Sequence, residues 1–195
     1  MRQVNLVNSA DEVVGQTDLL DAHRGFGKKH QAISLFLFRH RADGGLELLL
    51  QQRSKHKIVG TLQWANTLCA NLIPGENHLF CLKRRLKEEL GIVWQEDWLL
   101  QEALVLDYQV ACENGFAENE IDHIFVGLIS KEKTDHLLIV PDALEVLNFE
   151  WLDWQLVKQK QFTAKKITPW FALFLNQKTV LTKIEQILQT WQKQI

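Results

Sequence analysis

Residues 64–92 read WANTLCANLIPGENHLFCLKRRLKEELGI, and the second half of this stretch carries a helical period. Leu79, Leu82, Leu86 and Leu90 step by three, four and four, which is one apolar face of a helix. A helix over 77–90 is therefore predicted, and Gly91 directly behind it is a C-terminal stop. The same period puts Cys81, Arg85, Glu88 and Glu89 on the face opposite the leucines. Two readings of that face stay open. It is a solvated surface braced by the i, i+4 pairs Arg84–Glu88 and Arg85–Glu89, each worth about 0.2–0.5 kcal/mol. Alternatively, its carboxylates and the Gly75-Glu76 loop hold Mg²⁺, which takes a few carboxylates plus phosphate and water oxygens.

Strands are predicted on either side of this helix. Upstream, AISLFLFRH (32–40) is too continuously apolar for a strand with one wet face, so a strand covered on both sides is expected. Asp43-Gly44-Gly45 makes a turn, and LELLLQQR (46–53) returns as its hairpin partner. Earlier still, Val4–Val7 and Glu12–Thr17 read as short strands joined by a polar turn at 8–11, and AHRGFGKKH (22–30) reads as a basic, glycine-rich loop. Downstream, LLQEALVLDYQV (99–110) and ENEIDHIFVGLIS (118–130) flank a turn at Glu113-Asn114-Gly115. The strand-like LNFEWLD (147–153) is followed by helical stretches near 155–161, 169–176 and 181–194. Strands before, between and after helices predict a mixed sheet packed on both faces by helices, an α/β fold, as a single domain over residues 1–195.

The composition fits such a domain. A chain of 195 residues with 46% hydrophobic and 24% charged residues is of one-domain length and is neither disordered nor collagenous. Its net charge of −2 gives no overall pull toward nucleic acid or an acidic membrane. Cys69, Cys81 and Cys112 are three thiols without paired spacing, which argues against a disulfide framework and for a reducing, cytoplasmic setting. No signal-peptide core opens the sequence, and no run approaches the ~18 apolar residues that span a bilayer. A soluble chain, monomer or weak dimer, is expected.

Glu76, seven residues, then Arg84, with Glu88-Glu89-Leu90-Gly91-Ile92 behind it, resembles the Nudix box. Two positions depart: Ala70 stands where the box has its first Gly, and Arg85 where it has the first Glu of the helix. In the type I isopentenyl-diphosphate isomerase family, which has a Nudix fold, an Arg at that second place contacts the substrate diphosphate. The resemblance then runs from His23 to Trp170. His23 and His30 match the family's amino-terminal metal histidines, and Arg53 and Lys57 its diphosphate-binding pair. Residues 64–69 match the segment that ends in its catalytic Cys, here Cys69. Glu118-Asn119-Glu120 matches its Glu-Asn-Glu motif, and Tyr108 and Trp170 match its active-site Tyr and Trp. Glu89 matches its Mg²⁺ ligand.

The resemblance implies a Nudix-like core at about 31–165, a mixed sheet sandwiched between helices, with N-terminal strands and a C-terminal helix. It implies an isomerase that moves a C=C bond in a small-molecule diphosphate, with Cys69 and Glu120 on opposite sides of the substrate exchanging acid and base roles. Trp170 would face the tertiary carbocation with its indole, and Tyr108 would hydrogen-bond Glu120. Arg53, Lys57 and Arg85 would hold the diphosphate, with Mg²⁺ at Glu89. His23, His30, Glu118 and Glu120 would form a mixed nitrogen and oxygen metal site. Asn71 stands where the family has a further His ligand. Its carbonyl is a hard donor, which tilts the expectation to Mn²⁺ or Mg²⁺ in preference to Zn²⁺. Leu19 replaces a family Lys, so that one diphosphate contact is either lost or supplied by Lys28 or Lys29. A Nudix hydrolase of a nucleoside diphosphate derivative would keep Glu76, Arg84, Glu88 and Glu89 but has no use for Cys69, Trp170 or the histidines. A diphosphate-binding protein without catalysis is the third reading.

Overall fold

The computed structural model describes residues 2–130, 137–162 and 165–193. In chain order the elements are β1 (Gln3–Val7), β2 (Val13–Asp18), α1 (Leu19–His23), β3 (His30–His40), β4 (Leu46–Arg53), β5 (Trp64–Ala65), β6 (Leu68–Asn71), α2 (His78–Leu90), β7 (Leu99–Ala111), β8 (Ala117–Leu128), β9 (Val146–Asp153), α3 (Trp154–Lys158), α4 (Pro169–Asn176) and α5 (Lys178–Gln192). The expected strands and helices are present within a few residues of their predicted ends, and position 194 of the last stretch lies outside the described residues. α1 is an addition. It takes Ala22 and His23 from the expected loop, because the Asp18 side chain caps it by accepting from Leu20 N at 2.9 Å.

All nine strands join in one mixed sheet with β3 at its centre. β8 runs parallel along one edge of β3 and pairs with β7 on its far side. The other edge of β3 is shared in turn by β1, β6 and β4, all antiparallel, and β4 carries β9. The continuous hydrophobicity of β3 has the cause expected for it. Ile33, Leu35 and Leu37 pack with Leu82, Leu86 and Leu90 of α2 on one face. Phe36 and Phe38 pack with Trp154, Phe171, Phe174 and Ile184 of α3, α4 and α5 on the other. No described helix is long and apolar enough to cross a membrane.

α2 sits differently from its leucine stripe. Asn77 caps it by accepting from Phe80 N at 2.8 Å, and Gly91 closes it at φ 69°, where its N–H bonds Lys87 O at 3.0 Å. The buried residues are Cys81, Leu82, Arg85, Leu86, Glu89 and Leu90, whereas Leu79 is 49% exposed. The inward face is thus rotated from the leucines toward Cys81, Arg85 and Glu89, which lie beside the stripe and not opposite it. Only Glu88 of that expected polar face stays largely solvated. The physical reason is mutual neutralisation: Arg85 and Glu89 pair with each other, and further charges from the sheet side complete them.

Candidate active site

Strand register assembles the site. Across β3 and β6, Ser34 stands opposite Cys69 and Ala32 opposite Asn71. Across β3 and β8, His30 stands opposite Glu120, and β7 sets Tyr108 opposite Glu120 in turn. Directly opposed residues share a face, and so do residues two apart on one strand. His30, Ser34, Cys69, Asn71, Tyr108, Glu118, Glu120 and Asp122 therefore stand on one side of the sheet. α4 lies over that side with Trp170. A cavity of about 220 Å³ opens there, and its lining includes His23, Cys69, Asn71, Glu118, Glu120 and Trp170 together with the cations Arg2, Arg53, Lys57 and Arg85.

Cys69 is held on three sides. Its thiol donates to Asn66 Oδ1 at 3.1 Å, lies 3.3 Å from Ser34 Oγ, and receives Trp170 Nε1–H at 3.0 Å. Asn66 is itself locked by donating to the carbonyls of Leu35 and Leu68. Burial and the nearby Asp122 push the Cys69 thiol well above its ordinary range, so it carries its proton. Trp170 is fully buried, and the Arg53 guanidinium lies 5.0 Å from its ring centroid. Gly60, at φ 63°, permits that approach, since a Cβ there would meet the Trp170 ring at 2.9 Å.

Glu120 is engaged through both carboxylate oxygens. Its Oε2 accepts from Tyr108 Oη at 2.5 Å, and its Oε1 accepts from Asn71 Nδ2 at 2.8 Å and lies 3.3 Å from His30 Nε2. Burial and then the Glu120 carboxylate raise the Tyr108 phenol well above its usual value, which keeps it a donor. Asn71 turns its amide nitrogen toward the carboxylate. It acts as a donor to Glu120, so the oxygen ligand expected of it is not presented.

His23, His30, Glu118 and Glu120 are all buried, and one ligand atom from each lies within 4.8 Å of the others. His23 Nδ1 donates to Leu19 O and His30 Nδ1 to Lys28 O, both at 2.7 Å, which leaves the Nε2 lone pairs free. His23 Nε2 is 2.9 Å from Glu118 Oε2. His30 Nε2 and Glu118 Oε2 are buried with no hydrogen bond. Lone pairs and carboxylates facing one another without donors are what a bound cation resolves, and backbone carbonyls fixing both imidazoles supply the outer support such a site needs. The four residues fit a divalent cation. Without a cation, burial opposes a charge on His23 but the Glu118 carboxylate outweighs it and raises the pKa to about 9, so a proton then bridges Nε2 and Glu118 in the place a metal would take.

The remaining expected residues form an ionic cluster. Glu89 has no exposed surface. Gln51 Nε2 donates to it at 2.9 Å, Lys57 Nζ lies 3.4 Å away, and Arg85 pairs with it. Burial works against its charge, yet Lys57 and Arg85 prevail and hold its pKa at about 2. Glu145 shares the same cations, 2.5 Å from Lys57 and 3.1 Å from Arg85. Arg84 instead binds Glu76 and Glu88, tying the Gly-Glu loop to α2. Lys28 and Lys29 do not reach the cavity: Lys28 bonds Thr17 and Lys29 pairs with Asp107.

Sequence reasoning missed Ser34, Asp122 and Arg2. Asp122 is fully buried, accepts from Ser34 Oγ at 2.7 Å, and is raised well above the carboxylate range by burial and Glu120. Its place two residues beyond Glu120 on a strand was a usable signal for the same face. A second His and Asp group brings together Asp11 between β1 and β2, His78 of α2 and His123 of β8. Its imidazoles are stacked 3.7 Å apart at 27°, so their in-plane lone pairs do not converge on one ion about 2 Å from each nitrogen.

The NUDIX domain family matches residues 28–171 of this chain. An isopentenyl-diphosphate Delta-isomerase of Nocardia farcinica (strain IFM 10152) is 37% identical over 175 residues, covering 89% of this chain and 92% of the relative. A Pectobacterium atrosepticum protein of the same name is 31% identical over 173 residues, 89% of each. Among solved structures, a Deinococcus radiodurans protein superposes with a TM-score of 0.67 at 18% identity, over 89% of this chain and 97% of that one. The Nudix hydrolase RenU from M. smegmatis gives 0.58 at 16%, over 95% and 94%. These two likenesses concern the fold.

Proposed function

The chain belongs to the NUDIX domain family and, within it, to the isopentenyl-diphosphate Delta-isomerases, and on that premise we propose how its residues interconvert isopentenyl and dimethylallyl diphosphates. Cys69 and Glu120 are the acid and base. One adds a proton to the terminal methylene carbon, using the alkene's electron pair and leaving a tertiary carbocation. The other removes a proton from the second carbon, and that electron pair becomes the new double bond. The roles reverse with direction. The observation that carries this reading is their shared cavity, with a thiol aimed by Trp170, Ser34 and Asn66 and a carboxylate aimed by Tyr108 and Asn71.

Trp170 offers its indole to the cation, and its buried setting excludes the water that would otherwise add there. Arg53, Lys57 and Arg85 bind the diphosphate, and Glu89, which Lys57 and Arg85 enclose in the absence of substrate, would hold a Mg²⁺ arriving with it. At His23, His30, Glu118 and Glu120 we propose Mn²⁺ or Mg²⁺ over Zn²⁺, with two carboxylates as hard donors. Such an ion, when bound, neutralises the carboxylates and poises Glu120 for proton transfer. Three thiols free of disulfides agree with a cytoplasmic reaction.

The test is incubation with isopentenyl diphosphate and Mg²⁺ or Mn²⁺ and detection of the allylic isomer. Cys69→Ala and Glu120→Gln should each lower kcat by about 10²–10⁴-fold. Release of phosphate or diphosphate without isomer would refute the reading.

A further inference from the structure

Arg2 stands apart among the cavity's cations. It precedes β1, where its carbonyl accepts from Leu19 N at 2.8 Å, and its side chain lines the cavity with Arg53, Lys57 and Arg85. Those three have partners: Arg53 donates to Val59 O, and Lys57 and Arg85 are paired with Glu89 and Glu145. Arg2 Nη2 is sealed from solvent and has no hydrogen-bond partner among the described residues. Burial opposes its charge, and so do the nearby charges of Arg85 and Arg84. A guanidinium with one nitrogen buried without a partner and with like charges close by costs folding stability, which the attraction of Glu145 offsets in part. An anion with several oxygens is the group that satisfies it, since the fork of Arg matches phosphate geometry.

We propose that Arg2 is a substrate-binding residue, a fourth cationic arm that grips non-bridging oxygens of the diphosphate. The identity of the substrate rests on the isomerase reading; the class of anion does not. Leu19, bonded to the Arg2 backbone, brings no charge, and Lys28 and Lys29 are engaged elsewhere, so Arg2 supplies the cation on that side of the cavity.

Calorimetric titration with inorganic diphosphate, using the wild-type chain, Arg2→Gln and Arg2→Lys, tests this directly. Arg2→Gln should weaken binding by about 10–100-fold, the range for losing a charged hydrogen-bond donor, and Arg2→Lys should recover part of it. The anion-free melting temperature of Arg2→Gln should equal or exceed that of wild type, because a repulsive charge is gone, while the stabilisation by added diphosphate shrinks. In the isomerase assay KM should rise by a similar factor with kcat changed by less than about threefold. Unchanged diphosphate affinity in Arg2→Gln would overturn the proposal, as would a wild-type chain that does not bind inorganic diphosphate. An anion site lost in Arg2→Gln, in a wild-type chain that makes no isomer, upholds Arg2 and sinks the isomerase reading. Isomer formed at wild-type KM by Arg2→Gln does the reverse.

Discussion

At position 89 a carboxylate with no contact to water stays ionised because Lys57, Arg85 and Gln51 enclose it. Its folded pKa of about 2 lies below the unfolded value, so it contributes stability above roughly pH 4.3 and loses that contribution as pH falls toward 2. Glu89→Gln should cost about 3–5 kcal/mol at neutral pH by leaving buried cations short of charge. Denaturant unfolding between pH 6 and 2 should show that gap between variant and wild type closing; a gap independent of pH would count against the assignment. Ser34→Ala is the second residue-scale expectation. It strips Asp122 of its donor and Cys69 of one partner, and should destabilise the chain by about 1–3 kcal/mol, measurable by the same unfolding curves. Cys69, Glu118, Glu120 and Trp170 were legible because their residue types and order resemble a known pattern. Ser34 and Arg2 were not, since a lone Ser in an apolar strand and an Arg ahead of the first strand acquire meaning only from what they face.

At the scale of elements, α2 was readable in extent but not in rotation. A leucine period marks a helix, yet it cannot tell that paired charges will also be drawn inward, and here they displace Leu79 to the surface. Gly91 was readable as a stop, whereas its second constraint was not: a Cβ there would lie 2.6 Å from Val140 O. Gly91→Ala, which adds that clash to a left-handed backbone, should destabilise the fold by about 1–3 kcal/mol, checked by thermal or chemical unfolding. The short helix α1 escaped notice because five residues carry too little period, and its cap at Asp18 was the only local sign.

For the whole molecule, the sheet and its two helical layers followed from the alternation of strand and helix patterns, while the convergence of distant segments on one cavity did not. Histidines from the α1 and β3 region meet carboxylates of β8 about ninety residues later in the chain, a pairing that lies in β-sheet register and not in any local pattern. A cation held there would tie these segments together. Chelation should lower the melting temperature and Mn²⁺ should restore it. Metal analysis should find one such ion per chain; stoichiometric, tightly held Zn²⁺ would contradict the proposed preference.

The lateral row Tyr108, Glu120 and His30 has a further consequence for how this chemistry can be altered. It exists only while three neighbouring strands keep step, because side chains alternate at every residue. A one-residue insertion or deletion at the hairpin bend between Ala111 and Ala117 that is passed on into β8 would carry Glu118, Glu120 and Asp122 through the sheet to its opposite side. A frame change of that kind would silence the reaction without replacing one functional residue, whereas a two-residue insertion at the same bend would leave the carboxylates facing inward.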